Sequence, residues 1–447
     1  MKLWKKLAII FTIGIVLAIV GLTLGILWST IYVSIINTQL ALTPSSTNYE
    51  LWEATPIPMY LKLYMFNLTN YEDFLTGNDT KPHFVEMGPY VFREVDYKVN
   101  LTWNENSTIT YQRKRIWHFD EKMSVGQLSD EVTNVNPVTA SVAYALRYKK
   151  PMFRDMVDRI MKAIGQKLII TKTVNELLFE GYNDTMLKIA RKFNFTEIPF
   201  DKFAWFYGRN ESAPYDGTFN MFTGASNLLD VGVLKEWNYN SKVDYYPGEC
   251  GVVKGTNGDL WPPLPDNQTV SFFVSDICTS LSIPYEEEIV HEGLTGLKYS
   301  SDYTIFDNAD ESYRQSIDGM RPSKVKHELS IAIEPKTGVP LNVNAKLQLN
   351  LLVQHDDDMS TFKNIKTTFV PMLWFTQEAY LTSDYASTVK FIIVLQSLGS
   401  ITCYGIACIG ILIICIGAFL YIRHGLRGED NQVLLARNDN GVTTING

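Results

Sequence analysis

The sequence predicts an α+β membrane protein in which two transmembrane helices flank a large ectodomain of mostly antiparallel strands. Three observations predict it. Residues 7–28 and 401–422 are apolar enough to span a bilayer. Segments between them alternate apolar and polar residues with period two. One internal stretch instead repeats with helical spacing.

A hydrocarbon core of ~30 Å needs about 20 apolar residues in a helix. Residues 7–28 meet this without a charge. A cleaved signal peptide is shorter and ends in small residues; Trp28, Ser29, Thr30, Ile31 and Tyr32 follow here, so an uncleaved anchor is expected. Residues 391–422 begin mixed, with Gln396, Ser397, Ser400 and Thr402, and become a clean span. Lys2, Lys5 and Lys6 precede the first helix, and Arg423, His424 and Arg427 follow the second. Positive charge stays cytosolic. The expected order is a cytosolic tail (1–6), a helix (7–29), an ectodomain (30–390), a membrane-proximal segment with its helix (391–422), and a second cytosolic tail (423–447).

Glycosylation acceptors agree. Asn67, Asn78, Asn100, Asn106, Asn183, Asn194, Asn210 and Asn267 each open an Asn-x-Ser/Thr, and all lie between the helices. Gly14, Ala18, Gly21 and Gly25 fall on one stripe of the first helix, and the second carries Gly410, Gly417 and Ala418. Small residues admit close helix approach, so either the two helices pair or the chain self-associates; the other reading is that Gly is simply common in membrane helices.

The ectodomain is rich in aromatic residues and holds no internal repeat. A net charge of −8 gives no reason to expect nucleic acid. Residues 60–66, 327–333 and 345–353 read as strands, with breaks at Gly88-Pro89, Pro262-Pro263 and Pro335. Within 140–190, Met152, Phe153, Met156, Val157, Ile160, Met161, Ile164 and Leu168 have helical spacing, opposite Arg154, Asp155, Asp158, Arg159, Lys162 and Lys167. Further helices are expected over 173–180 and 184–192. No catalytic constellation stands out, and no enzyme and no cofactor are expected. His355 with Asp356, Asp357 and Asp358 reads as a solvated acidic turn rather than a metal site.

Short motifs run in a specific order nearly end to end: Pro58-Met-Tyr-Leu-Lys-Leu-Tyr-Met-Phe-Asn-Leu-Thr-Asn70, Val85-Glu-Met-Gly-Pro-Tyr-Val-Phe-Arg-Glu94, Asn136-Pro137, Thr173-Val-Asn-Glu-Leu-Leu178, Phe219-Asn-Met-Phe-Thr-Gly224, Gly255-Thr-Asn-Gly258, Ile333-Glu-Pro-Lys-Thr-Gly-Val-Pro-Leu341 and Pro371-Met-Leu-Trp374. Their order between two membrane helices resembles the class B scavenger receptor family, which includes the fatty acid translocase and the type-two lysosomal integral membrane protein. The resemblance implies an irregular antiparallel β-barrel with an internal apolar cavity, capped by a helical bundle that would correspond to residues 140–192. It implies a receptor that binds lipids, lipoproteins or other polyanionic particles at the cap and passes lipid toward the bilayer. Phe153, Met156, Ile160 and Met161 are the candidate apolar entrance, since Met adapts to irregular ligands. Arg147, Lys149, Lys150, Arg154 and Lys162 are the candidate cations for carboxylates or head groups. The competing reading packs the apolar stripe inside the bundle and solvates the charges.

One departure matters. The family carries a cysteine-rich segment after the position of Phe306-Asp-Asn-Ala309, and here the chain passes directly to Asp310-Glu-Ser-Tyr-Arg-Gln-Ser-Ile-Asp-Gly-Met320. Only Cys250 and Cys278 lie in the ectodomain; Cys403, Cys408 and Cys415 lie in the second helix. In the family the counterparts of Cys250 and Cys278 pair with cysteines of the missing segment, so neither is expected to make its family disulfide. They pair with each other only if their Cα atoms lie within ~7 Å.

Past the second helix, Asp430, Leu434 and Leu435 fit the acidic dileucine pattern read by clathrin adaptors. The leading reading is a plasma-membrane lipid receptor. The alternatives are an endosomal or lysosomal protein that sorts a hydrolase or exports lipid, and a two-helix ligand-gated channel.

Overall fold

Inside lipid an apolar segment satisfies its own backbone only as a helix, and both terminal segments are helical throughout. The computed structural model describes residues 2–77, 81–192, 200–264, 269–301 and 316–439. Two units emerge, residues 1–39 with 387–447 and residues 40–386.

The first unit is a helix pair, α1 (Lys2–Leu40) and the C-terminal helix Ser383–Asp439. Its apolar spans are Trp4–Leu40 and Ser383–His424. The small residues form the contact, so within this chain the two helices pair. A Cβ on Gly21 would lie 2.4 Å from the Ala407 nitrogen, and one on Gly410 would lie 2.4 Å from the Ala18 nitrogen. Above the glycines, Trp28 donates from Nε1 to the Gln396 carbonyl at 3.0 Å, and the Tyr32 hydroxyl donates to the Ile392 carbonyl at 2.9 Å. Without Cβ atoms the backbones reach van der Waals contact, which drives association where lipid removes the hydrophobic term. Gly21→Ile is expected to part the helices. The measurement is a short bis-maleimide linking cysteines introduced at Trp28 and Gln396, whose crosslink should be lost.

In the second unit a ten-stranded antiparallel sheet runs β10-β11-β12-β13-β14-β1-β2-β3-β6-β7. Its central strands are β1 (Met59–Leu68), β2 (Phe84–Asn104), β3 (Thr108–Phe119), β13 (Pro340–Val353) and β14 (Thr368–Tyr380). The flanks are β6 (Thr218–Phe222), β7 (Leu234–Trp237), β10 (Tyr285–His291), β11 (Leu294–Ser300) and β12 (Ser330–Ile333). Two hairpins stand apart: β4 (Glu131–Val135) with β5 (Ile169–Thr173), and β8 (Val270–Val274) with β9 (Thr279–Ile283). Among the described residues β10 and β7 do not pair, so the sheet is open where a closed barrel was expected.

The strands expected at 60–66 and 345–353 fall in β1 and β13. Two expectations need correction. Gly88-Pro89 does not end a strand. β2 runs through it on a register shift opposite Leu63 and Met65, where Gly88 sits at φ +117° and a Cβ would meet the Leu63 carbonyl at 2.7 Å. The strand expected from 327 begins only at Ser330, because Lys324–His327 is a helical turn.

After two short helices, α2 (Thr47–Glu53) and α3 (Tyr71–Thr76), the helical insert is divided more finely than its periodicity predicts. α4 (Pro137–Leu146) opens on Asn136, whose side chain accepts the Val138 amide, with Pro137 in the first turn. α5 (Pro151–Ala163) follows and is closed by Gly165 at φ +74°. Leu168 lies beyond that end, buried before β5. The helix expected over 173–180 is a π-helical turn, Glu176–Glu180. α6 (Thr185–Lys192) matches its expected span.

A void lined by Met65, Val132, Ile170, Leu177, Trp205 and Met372 holds about 10 Å³, roughly one water. On β2 and β3 the buried face carries charge: Glu94, Asp96 and Lys98 face Arg113 and Arg115. Asp96 pairs with Lys98 at 2.8 Å and Arg113 at 2.6 Å. Burial alone would raise the Asp96 carboxyl; Arg113 and Lys98 outweigh it and hold it well below the usual carboxylate range.

Candidate functional site

With 3.6 residues per turn, α5 presents two adjoining apolar sectors, and only one faces the protein. Val157 and Met161 are buried in a core cluster with Leu168, and Ile164 packs against it. Met161 is 1% exposed and unreachable from outside, which corrects its place in the apolar entrance. The neighbouring sector is open: Phe153, Met156 and Ile160 are 36%, 45% and 40% exposed, and Met152 is 82% exposed.

On the polar face Asp155, Arg159, Lys162 and Lys167 reach solvent, while Arg154 and Asp158 are drawn against the protein. The face clamps the helix to the turn after β13. Arg154 donates from Nη1 to Asp356 at 2.7 Å and from Nη2 to Asp358. Asp356 also accepts the amides of Asp358 and Met359, at 2.9 and 3.2 Å. The acidic run is therefore a folded receptor for Arg154. Asp158, itself buried, accepts the amide and hydroxyl of Ser360 at 3.1 and 2.5 Å and those of Thr361 at 3.2 and 2.5 Å. Burial alone would raise its carboxyl, but these donors and Lys162 outweigh it and hold it below the ordinary value. Lys162 donates to the Ser360 hydroxyl and lies 3.5 Å from Asp158. Arg154 and Lys162 are thus tethers of the cap. Sequence reasoning missed Asp158, Ser360 and Thr361, because nothing local announces a partner some 200 residues away.

The remaining cations face outward. Lys149 and Lys150 are exposed beside Pro151. The Arg147 guanidinium lies 3.6 Å over the Tyr144 ring and 4.5 Å over that of Tyr148. These rings, with Arg147, Arg154, His355 and Phe362, line a cavity of about 370 Å³ between α4 and the turn after β13. That is within the usual range for small-ligand sites.

Asn100, Asn106, Asn183 and Asn210 are exposed, and Asn67 is half-buried. Asn67 and Asn210 accept backbone amides through Oδ1, at 2.7 and 2.9 Å, while a glycan bond forms at Nδ2. Asn78, Asn194 and Asn267 lie outside the described residues. Asp430, Leu434 and Leu435 fall in the C-terminal helix, but their side chains lie outside the described ones. Cys250 is exposed and Cys278 half-buried, both as free thiols. Cys278 has φ +52° in the turn between β8 and β9.

The CD36 family profile matches residues 12–310 and 305–421. The two matches meet where the sequence places the missing segment. Protein peste of Drosophila melanogaster is 30% identical over 437 aligned residues, covering 88% of this chain and 78% of that protein. Scavenger receptor class B member 1 of Bos taurus is 26% identical, covering 86% and 83%. Lysosome membrane protein 2 of Rattus norvegicus is 30% identical, covering 80% and 82%. A profile match over most of the chain, with relatives similar along their length, makes this chain a member of the CD36 family.

Proposed function

We propose that the chain is a lipid-binding membrane receptor whose α5 stripe captures lipids, lipoproteins or other polyanionic lipid-bearing particles. The observation that carries this is the exposed face of Met152, Phe153, Met156 and Ile160. Exposed apolar side chains grouped on one helix face mark an interaction site. Lys149, Lys150 and Arg147 supply the cations that would draw acidic head groups to it, and the neighbouring cavity is large enough to receive one. The similarity to scavenger receptor class B member 1 supports a receptor rather than an enzyme. In this reading both tails are cytosolic, the sequons are glycosylated, the dileucine engages clathrin adaptors, and the shortened ectodomain leaves Cys250 and Cys278 without their family partners. A second reading, an endosomal or lysosomal protein that sorts a hydrolase or exports lipid, is favoured by the identity with Lysosome membrane protein 2.

Full-length protein in nanodiscs, titrated with phosphatidylserine-containing vesicles, tests the capture site. Burying a Phe, Met or Ile side chain contributes about 1.5–3 kcal/mol, so Phe153→Ser, Met156→Asp and Ile160→Asp should each weaken binding about tenfold or more. Lys149→Glu with Lys150→Glu should weaken it most at low salt. Unchanged binding by the α5 variants sinks the assignment.

A further inference from the structure

The buried charge on β2 and β3 extends into a cluster that does not balance. Among the described residues four cations, Lys98, Arg113, Arg115 and Arg209, meet five carboxylates, Glu94, Asp96, Asp216, Asp259 and Asp276. Each Asp has a cation close by. Asp96 has Arg113 at 2.6 Å, Asp216 has Arg209 at 2.8 Å and Arg115 at 3.0 Å, Asp259 has Lys98 at 3.2 Å, and Asp276 has Arg209 at 2.6 Å.

Glu94 is different. Its cation in the cluster is Arg115 at 3.9 Å, which Asp216 already engages. Its oxygens accept from neutral donors instead, Trp117 Nε1 at 3.0 Å and Gln377 Nε2 at 3.0 and 3.1 Å. Among the described residues the charged groups that act on it most are Arg115 and Arg113 on β3 and Asp96 on its own strand, and from β14 the neutral Gln377 donates to it. With every group ionised, these groups hold one excess negative charge, and Glu94, fully buried, is the carboxylate least compensated for it.

We propose that Glu94 is a proton-binding site, and that uptake of one proton between neutral and endosomal pH balances the cluster four to four and tightens the joint between β2, β3 and β14. The ectodomain hardens as its surroundings become acidic. This stands on the cluster alone and not on the lipid-capture reading.

The direction of each titration agrees. Burial drives the Glu94 carboxyl up and neighbouring Asp96 adds to it, while Arg115, Arg113 and Trp117 oppose. A carboxyl raised in the folded state contributes stability that is fully present below its unfolded value of ~4.3 and lost as pH rises through the folded one. Asp276 behaves oppositely. Burial would raise it, yet Arg209 and Arg115 hold it at about 2, so its contribution is lost only as pH falls through the range below ~4. As pH falls, Glu94 therefore takes its proton before Asp96 or Asp276 does.

Unfolding of the full-length protein in neutral-lipid nanodiscs, followed by tryptophan fluorescence between pH 5 and 7.5 at fixed ionic strength, tests this. The wild-type midpoint should rise by about 2–4 °C on acidification across that range. Glu94→Gln should be flat there, and at pH 7.5 it should match the wild type at pH 5. Asp276→Asn removes one carboxylate from the cluster and should move the wild-type step to lower pH. Parallel pH profiles for wild type and Glu94→Gln overturn the proposal. Should Glu94→Gln fail to fold, an unmoved step in Asp276→Asn overturns it.

Discussion

Asp158→Ala is expected to detach α5 and cost about 3–5 kcal/mol, because it removes the one charged acceptor of several hydrogen bonds. The carboxylate receives two backbone amides and two hydroxyls from Ser360 and Thr361. Hydrogen bonds to a charged acceptor are worth about 1.5–3 kcal/mol each, and the four are not additive, because removing their shared acceptor frees the turn to relax. Lys162 would also lose its carboxylate. Limited proteolysis reads the effect best: cleavage in residues 146–165 should accelerate by orders of magnitude while the sheet survives. Asp158→Asn keeps the shape but not the charge and should lie between. Equal resistance of wild type and Asp158→Ala would show that the clamp does not hold the cap.

Arg113→Met should be as severe, about 3–5 kcal/mol, for a different reason. It leaves Asp96 buried with Lys98 as its remaining cation within 4 Å, and takes from Asp259 one of two. The cost is that of an uncompensated charge rather than of lost attraction. Pairing Arg113→Met with Asp96→Asn should therefore recover part of the stability, and a double-mutant cycle in chemical denaturation measures it. Additive losses would contradict the pairing.

These sites show what the sequence could reveal. The membrane helices, β1, β13 and α6 were legible because their patterns are local: long apolar runs, period-two alternation and an amphipathic turn. The amphipathic character of α5 was legible too, but not its orientation. Val157 with Met161 and Met152 with Met156 are equally apolar, and only the packed fold shows which pair faces the core. Arg154 read as a ligand cation and Asp158 as part of the helix's polar face because their partners lie 202 to 204 residues onward. Glu94, Asp96 and Lys98 alternate as an exposed edge would, yet that face is the buried one, because Arg113 and Arg115 on β3 answer it. Gly88-Pro89 looked like a break because sequence does not show that β2 bulges there, two of its residues facing Tyr64 of β1.

The cap's role as a capture site is tested most directly by vesicle binding to Met156→Asp and Met161→Ala side by side. Met156 is on the exposed sector and Met161 is in the core. The account predicts that Met156→Asp loses about tenfold or more in affinity at unchanged thermal stability, while Met161→Ala loses stability and binds normally once folded. Normal binding by Met156→Asp would contradict it.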